Sequence, residues 1–240
     1  MITNTNKKIK ICNIKGISFD KSGWYFFYYM GVIKALLELD PIIEKRVKIY
    51  AVSGGALIAP YFYMRSNMDL IIKDWKHIIN IHKNTNNFII NKFYCKHLYI
   101  DIFNLHKIHL IEKKLTKLNI SISKISFDTK FPFLKFKNVI LNKFNNNLLE
   151  KIIQSAYIPG IMGLNIFTCY YDGALTSNDY YKKINKKNIL SIGTCKRSLY
   201  HIYYNFDWTY LNTYYPLNND FIDKLYINGY NDTINYFTSY

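Results

Sequence analysis

Arginine is nearly absent from this 240-residue chain. Of the 32 basic residues only Arg46, Arg65 and Arg197 are arginine, and 32 basic against 16 acidic residues give a formal net charge of +16. Guanidinium groups make the bidentate contacts that read phosphates and bases, so the composition argues against a nucleic-acid partner. A basic nucleic-acid-binding module remains an alternative, but it rests on charge alone. The same charge suits an anionic membrane surface.

Cysteine is also scarce. The four cysteines, at positions 12, 95, 169 and 195, are widely spaced and lie in apolar segments. This pattern predicts buried free thiols and no disulfide framework. Neither Cys95-Lys96-His97 nor His106-x-x-His109 has a second pair at zinc-finger spacing, so these histidines are interpreted as solvated loop residues. The sequence predicts no metal site and no cofactor.

Long hydrophobic runs are missing. The longest uncharged stretch, residues 49–64, contains Gly54, Gly55 and Pro60, and it is shorter than the roughly 20 residues that a membrane-spanning helix needs. Residues 1–10 are polar and basic and lack the apolar core of a secretory signal. The expectation is a cytoplasmic protein that is soluble or peripheral to a membrane.

The chain has enough apolar residues for one large core, since 50% of its residues are hydrophobic and 18% are aromatic. We expect an N-terminal tail at 1–13 and a single domain over 14–240. Strands are predicted at 14–19 and 47–52, a buried helix at 24–39, and a second helix from Ala56 toward Met64. This order predicts an α/β fold, a three-layer α/β/α sandwich whose central, mostly parallel sheet is covered on both faces.

The rest of the chain gives weaker signals. Segments 80–97 and 142–147 are rich in Asn and Lys and are interpreted as surface loops. A short helix is expected at 148–156 and a late strand at 189–192. From Trp208 onward the chain is aromatic and is predicted to be helical.

Ala51-Val52-Ser53-Gly54-Gly55 stands between the second strand and the second helix. A sharp strand-to-helix turn exposes a serine hydroxyl above a sheet, and the helix N-terminus favours negative charge beside it. Ala51 replaces the first glycine of the G-x-S-x-G pattern. Taken alone, the segment fits a nucleophile elbow and an ordinary Ser-Gly-Gly turn about equally well.

Two further regions favour the elbow. Upstream, Ile17–Trp24 leads into a helix that carries Gly31-Val32. Downstream, Ser155–Gly160 leads to Tyr171-Asp172-Gly173-Ala174, followed by Asn178.

These segments resemble the patatin-like lipases. That family has an oxyanion loop after the first strand, a serine elbow after the second, a small-residue/Ile-Pro segment, and then Asp-Gly-Gly or Asp-Gly-Ala. Asn228–Asp232 is similar to the Gly-Tyr-x-Asp helix of the branch that includes adipose triglyceride lipase and adiponutrin. The resemblance covers roughly residues 14–237.

The resemblance implies a patatin-like fold and a lipid acyl hydrolase, a phospholipase A or a glycerolipid lipase. Ser53 would attack the ester carbonyl, and Asp172 would take its proton directly, as a dyad without histidine, through an acyl-enzyme intermediate. An anionic membrane or lipid-droplet surface would present the lipid substrate. The implied oxyanion donors are the backbone N–H groups of Lys21, Ser22, Gly23 and Gly54, and the supporting motif positions are Ala51, Gly55, Gly173 and Ala174.

The chain departs from the family at several positions. Lys21 and Ser22 replace oxyanion-loop glycines, so we expect backbone strain there of roughly 1–3 kcal/mol. Phe26 stands where the family usually has glycine, and Pro60 should kink its helix. These departures keep open a catalytically weak or inactive patatin-fold protein that binds lipid or another protein. The order Ser53, Asp172, His201 also leaves open the triad of the α/β-hydrolases.

Overall fold

The computed structural model describes residues 9–85, 94–127, 134–144, 147–157, 170–176, 188–194, 200–204 and 218–239. The strands are β1 (Gly16–Phe19), β2 (Lys48–Val52), β3 (Leu118–Phe127), β4 (Leu134–Leu141), β5 (Tyr170–Tyr171), β6 (Ile189–Gly193) and β7 (Ile202–Tyr203). The α-helices are α1 (Phe26–Leu39), α2 (Ile43–Arg46), α3 (Gly54–Met64), α4 (Met68–Thr85), α5 (Tyr94–Leu105), α6 (Leu148–Ser155) and α7 (Asn219–Thr238).

In the described part of the chain these strands form one sheet in the order β4-β3-β2-β1-β6-β7, with β5 paired to β3. The pairs β1–β2, β1–β6, β2–β3 and β6–β7 are parallel, while β4 and β5 run antiparallel to β3. The sequence prediction of an α/β fold with a mostly parallel sheet is confirmed.

Both faces of the sheet's central strand are buried. All four residues of β1 are buried, as expected for a central strand of a parallel sheet. On one face Ile49 and Ile120 join the large core, which includes residues of helices α1, α3, α4, α5 and α6. On the opposite face Val52 and Ile189 form a second, smaller cluster. No helix in the described residues is long and apolar enough to cross a bilayer.

The predicted buried helix is present, with a short 3-10 turn at Gly23–Tyr25 ahead of α1. Trp24 is 2% exposed. Its ring packs against Phe26, Trp75 and Tyr99 at centroid distances of 5.7, 6.5 and 5.7 Å. The aromatic run therefore belongs to the core, where it fixes the start of α1 beside the loop that precedes it.

Helices α1 and α7 touch backbone to backbone. A Cβ placed on Gly31 would lie 2.0 Å from the Tyr226 carbonyl oxygen, and one on Gly229 would lie 2.0 Å from the Tyr28 carbonyl oxygen. The Tyr28 hydroxyl then donates to Asp232 Oδ2 at 2.7 Å. The Asn228–Asp232 segment thus has a packing role. Gly229 permits the close approach of the two helices, and Asp232 joins α7 to α1 through its hydrogen bond with Tyr28.

The structure corrects the loop expected at 80–97. Helix α4 continues to Thr85 and α5 begins at Tyr94, while 86–93 lie outside the described residues. The helix extends further than expected because Trp75 and Ile79, four residues apart, continue the buried apolar face of α4. Asn80 and Asn84 lie on the solvent-exposed face of the same helix.

The antiparallel pair β3–β4 was not predicted from the sequence. Its signal is a period-2 pattern: Ile120 and Ile122 are buried in the large core, while Asn119, Ser121 and Ser123 point to the opposite face. Ser121 and Ser123 are buried as well, so the polar positions of this pattern do not mark a solvent-facing side.

The expectation of buried thiols is wrong for Cys12, which is exposed in a short 3-10 turn, Ile11–Asn13. Cys169 and Cys195 lie outside the described residues.

Residues 9–13 of the expected tail contact the domain, since the Ile9 N–H donates to the Tyr236 hydroxyl and Arg46 donates to the Ile11 carbonyl. Pro60 lies inside α3, which runs without interruption from Gly54 to Met64.

The α1–α7 crossing yields a stability prediction. Gly229→Ala should destabilise the protein by about 3 kcal/mol, because its methyl group would overlap the Tyr28 carbonyl and force the helices apart. Urea denaturation measures this loss. Asn231→Ala, at an exposed position of the same helix, should stay within about 0.5 kcal/mol of wild type. Equal stability of both variants would contradict the close contact.

Candidate active site

Ser53 occupies a strained turn between β2 and α3. Its backbone angles are φ 54° and ψ −125°, a combination that residues with a Cβ rarely adopt. It is the N-cap of α3, a position where serine usually accepts a bond from the helix backbone, but its side chain makes no such capping bond. The hydroxyl is therefore left for another partner.

That partner is Asp172. Ser53 Oγ donates to Asp172 Oδ2 at 2.8 Å, across 119 residues of sequence. Ser53 is 6% exposed and Asp172 is 5% exposed. The predicted contact between the two side chains is confirmed, and its length is that of a strong hydroxyl–carboxylate hydrogen bond.

In an open parallel sheet, site residues usually follow the carboxyl ends of neighbouring parallel strands, but Asp172 reaches Ser53 by another route. Strand β2 pairs with β3 only as far as Ser121, and β5 pairs with the next part of β3, at Ser123 and Lys124. Because β4 holds the other edge of β3 at these positions, β5 continues the line of β2 from the opposite direction. The two strands end head to head, and Ser53 and Asp172 meet at the junction.

A buried polar network holds the Asp172 backbone. The Ser123 hydroxyl donates to the Asp172 carbonyl at 2.8 Å and lies 2.8 Å from the Thr176 hydroxyl. Asn138 of β4 donates to Thr176 at 3.1 Å and to Ser121 Oγ at 2.6 Å. Side chains of β3 and β4 therefore hold the turn that carries the Asp172 carboxylate, and their hydrogen bonds are satisfied within the network.

Burial raises the pKa of Asp172 from 3.8 to about 6. Several weaker effects act against one another. The Ala174 N–H, which donates to Oδ1 at 2.7 Å, the Ser53 hydroxyl and the Lys21 charge lower this pKa, while the nearby Asp20 raises it. Near neutral pH the carboxylate is thus ionised, but it is a stronger base than a solvated aspartate.

The loop at 21–23 lies against the elbow. A Cβ placed on Gly54 would be 2.3 Å from Ser22 Oγ and 2.6 Å from the Gly23 carbonyl oxygen. The strain expected at Lys21 and Ser22 is absent. Gly23 takes the positive φ, 51°, whereas Ser22 has φ −145° and Lys21 is not among the positive-φ residues. The single remaining glycine stands at the position that needs one.

The carbonyl side of this loop is anchored. Thr194 Oγ1 donates to the Lys21 carbonyl at 3.4 Å, and the Tyr25 N–H donates to the Ser22 carbonyl at 3.0 Å. A trans peptide directs its N–H opposite to its C=O, so the Ser22 and Gly23 N–H groups point away from these anchors. They donate to no acceptor among the described residues. Gly54, at the first helical position, likewise has no intrahelical acceptor.

Asp20 and Tyr200 fix the start of the loop. The Tyr200 hydroxyl donates to Asp20 Oδ2, and the Asp20 N–H donates to the Ile192 carbonyl of β6 at 3.2 Å. The Tyr200 ring also packs over Gly193. No sequence pattern predicts this pair, because 180 residues separate Asp20 from Tyr200.

Ser155, the first residue of the Ser155–Gly160 segment, is a site residue that sequence reasoning missed. Its Oγ accepts the Ser53 N–H at 3.0 Å and donates to the Ser121 carbonyl at 2.7 Å. It thus ties the strained elbow to β3. Residues 158–160 and Asn178, the other parts of that motif, lie outside the described residues.

The remaining motif positions provide close packing. Ala51 is buried in β2 beside Phe19 of β1. A Cβ on Gly55 would lie 2.6 Å from the Phe19 carbonyl oxygen, and one on Gly173 would lie 2.3 Å from that of Ser121. Small residues at these positions let the elbow and the aspartate turn approach the sheet.

His201 is not the partner of Ser53, so the triad alternative is wrong. Its Nδ1 accepts the Ser191 N–H of β6 at 3.0 Å, and β1 stands between β6 and β2. His106 is not a solvated loop residue either. It bridges the Tyr61 hydroxyl at 2.9 Å and Asp74 at 3.0 Å. In the part of the chain that the structure describes, no group of three or more His, Cys, Asp or Glu could hold a metal ion.

No protein-family model matches the chain, and no curated protein matches it. The assignment of a function therefore depends on the geometry of the site.

The raised pKa of Asp172 predicts a pH-dependent stability. The folded state binds this proton more tightly than the unfolded state, so the cost of the buried charge is absent below pH about 4. It develops between about 4 and about 6, reaching roughly 3 kcal/mol. Asp172→Asn should therefore be more stable than wild type near pH 7.5 and equal to it near pH 4. Thermal unfolding at both pH values tests this, and a constant difference would contradict it.

The Ser155 bridge predicts a loss that a similar serine does not share. Ser155→Ala leaves the buried Ser53 N–H without its acceptor and should destabilise the protein by about 1–3 kcal/mol. Ser18→Ala is the matched control, because Ser18 is 1% exposed and its Oγ has no hydrogen-bond partner among the described residues. Its removal should be neutral or stabilising in the same denaturation assay.

Proposed function

We propose that this protein is a serine acyl hydrolase that cleaves carboxylic esters of lipids through a Ser53–Asp172 dyad. The observation that carries the proposal is the 2.8 Å hydrogen bond from Ser53 Oγ to a buried carboxylate whose pKa is raised to about 6. The strained backbone at Ser53 supports it, because strain of this kind persists where function requires it.

In the first step Ser53 Oγ attacks the ester carbonyl carbon while Asp172 Oδ2 takes the hydroxyl proton. The tetrahedral oxyanion is stabilised by backbone N–H groups of Ser22, Gly23 and Gly54, which are adjacent and without acceptors among the described residues. Collapse expels the alcohol, which receives the proton from Asp172, and leaves an acyl group on Ser53.

In the second step water attacks the acyl carbon. Asp172 removes a proton from this water, and the same donors hold the second oxyanion. Release of the fatty acid returns the proton to Ser53. One carboxylate serves as base and acid in turn, for which a pKa nearer to neutral than 3.8 is favourable.

The lipid class of the substrate comes from the resemblance to the patatin-like lipases, whose motif order matches the elbow, the 21–23 loop and the Asp172 turn. A patatin-like three-layer sandwich is the finer fold that we propose with it. The burial of strand β1 on both of its faces supports that architecture. A phospholipase A or a glycerolipid lipase acting at an anionic surface fits the charge of +16.

One observation favours the alternative of a weak or inactive lipid-binding protein. The Ser22 side chain is fully buried, directly above Gly54. It donates to the Gly23 carbonyl only at 3.3 Å, so its hydroxyl lies where the family's glycines have no side chain. We therefore expect modest activity.

Wild-type protein should hydrolyse short-chain p-nitrophenyl esters at a measurable but modest rate. Ser53→Ala and Asp172→Asn should both abolish this activity, and a fluorophosphonate probe should label wild type but not Ser53→Ala. Ser18→Ala serves as the active control. A wild type indistinguishable from Ser53→Ala on every ester and phospholipid tried would leave the lipid-binding alternative.

The acid limb of the pH profile of kcat/KM should report the pKa of Asp172. For an uncharged ester, kcat/KM should fall about tenfold per pH unit below about 6 and level off above it, because only the carboxylate accepts the proton. Lys21→Met removes a charge that lowers this pKa, so its limb should move to higher pH. A profile without an inflection between about pH 5 and 7 would argue against Asp172 as the base.

A further inference from the structure

A groove of about 580 Å³ lies between β7 and the C-terminal half of α7. Residues 201–204 form one wall, and the other wall comes from one face of α7 and its C-cap: Asn228, Asp232, Asn235, Tyr236 and Ser239. A volume of this size is typical of small-molecule sites. Strands β1 and β6 separate β7 from β2, so this β7–α7 groove is distinct from the Ser53–Asp172 site.

The groove contains a carboxylate without a positive partner. Asp232 is partly buried. Its Oδ2 accepts the Tyr28 hydroxyl at 2.7 Å, and its Oδ1 accepts no hydrogen bond among the described residues. No described lysine or arginine forms an ion pair with it. Burial raises the pKa of Asp232 and the Tyr28 hydrogen bond acts against this, so a cation in the groove would relieve an unfavourable burial.

The end of α7 adds a second source of negative potential to the same groove. A helix C-terminus carries the negative end of the helix dipole, which basic side chains in the last turn usually offset. The last turn of α7 has no basic residue, and the chain has none after Lys224. Asn235, Tyr236 and Ser239 place the groove along this end of the helix. The described lining contains no lysine or arginine, although the net charge of the chain is +16.

Aromatic rings complete the lining. Tyr203, Tyr204 and Tyr236 all border the groove, and the faces of such rings attract cations. His201 does not repel a cation, because burial lowers its pKa and the ring is neutral near pH 7. Its Nδ1 accepts the Ser191 N–H at 3.0 Å, so the neutral ring carries its proton on Nε2. This N–H is a donor for an oxygen atom of a ligand.

We propose that the β7–α7 groove binds a small organic ammonium ion of the amino alcohol class. The Asp232 carboxylate and the C-terminal end of α7 attract the charged nitrogen, the tyrosine rings pack against its carbon substituents, and His201 donates to the hydroxyl oxygen. This binding requires neither Ser53 nor Asp172, so it is independent of the proposed hydrolysis.

An organic cation fits the groove better than an inorganic ion does. Ca²⁺ takes six to eight oxygen ligands, several of them usually carboxylates, whereas the described lining supplies the single carboxylate of Asp232. A phosphate would face this carboxylate without a lysine or arginine in the described lining to bind it. An organic ammonium ion uses the negative potential and the aromatic rings together.

The test is isothermal titration calorimetry of the full chain with choline. The neutral comparison is the dimethylbutanol in which a carbon atom replaces the nitrogen of choline, because it has the same shape without the charge. Choline should bind at least about tenfold more tightly than this alcohol. Equal binding of the two compounds, or no saturable binding of choline, would overturn the proposal.

Variants locate the binding. Asp232→Asn keeps an oxygen acceptor for the Tyr28 hydroxyl but removes the charge, so choline should bind about tenfold more weakly. Tyr203→Leu should weaken binding about fivefold, whereas Tyr203→Phe keeps the ring and should bind as wild type does. The Tyr203 pair tests the groove separately from any effect of Asp232→Asn on the α1–α7 crossing.

Asp220→Asn is the matched control for charge. Asp220 is exposed in the first turn of the same helix, roughly 18 Å from Asp232 along the axis. Both substitutions give the same net charge, 16 + 1 = +17. Asp220→Asn should bind choline as wild type does, and equal losses in the two variants would contradict a site at Asp232.

A second ligand identifies the source of the ammonium group. Dihexanoylphosphatidylcholine, titrated below its critical micelle concentration, should bind more tightly than choline if the groove takes a lipid head group, and more weakly if it takes a free amine. Either order supports the groove provided that Asp232→Asn weakens both ligands. Hydrolysis of a p-nitrophenyl ester tests the other proposal, so a protein that binds choline but hydrolyses no ester would refute the catalytic function and leave this site standing.

Discussion

The hydrogen bond between Ser53 and Asp172 is the interaction on which the candidate site depends. It joins two side chains that belong to strands of opposite direction, and it requires both strands to end at the same point on the edge of β3. The strained backbone of Ser53 turns its hydroxyl away from the helix it caps and toward the carboxylate. Without the head-to-head meeting of β2 and β5, that strain would bring no chemical benefit.

The surrounding structure compensates for this arrangement with satisfied polar contacts. Ser155 holds the Ser53 N–H, and Ser123 and Thr176 hold the turn that carries Asp172. These side chains are buried, so each hydrogen bond forms in a medium where an unpaired group would be costly. The Asp172 carboxylate nevertheless keeps an unfavourable burial, which is the physical source of its raised pKa. A less stable folded protein and a stronger base are two consequences of the same burial.

The loop at 21–23 shows how a departure from a glycine-rich pattern is accommodated. Only Gly23 takes a left-handed backbone, and Trp24 and Tyr25 anchor the chain directly after it. Thr194, directly after β6, and Tyr200, shortly before β7, fix the preceding residues. The N–H groups of the loop are thereby directed by tertiary contacts and not by the local sequence.

Local patterns in the sequence determined the elements that carry the site. The strand-turn-helix around Ser53, the aromatic helix α1, the short helix α6 and the strand at β6 follow from hydrophobic runs and small residues that act over a few positions. The pairing of Ser53 with Asp172 could be predicted because the two motifs are recognisable in order. Strand β3 carries a period-2 pattern of its own. The approach of β5 from the opposite direction and the roles of Ser155, Asp20 and Tyr200 were decided by tertiary structure alone. The hydrogen bonds of these three side chains join residues 34 to 180 positions apart, and a hydrogen bond between such distant residues leaves no periodicity or spacing in either segment.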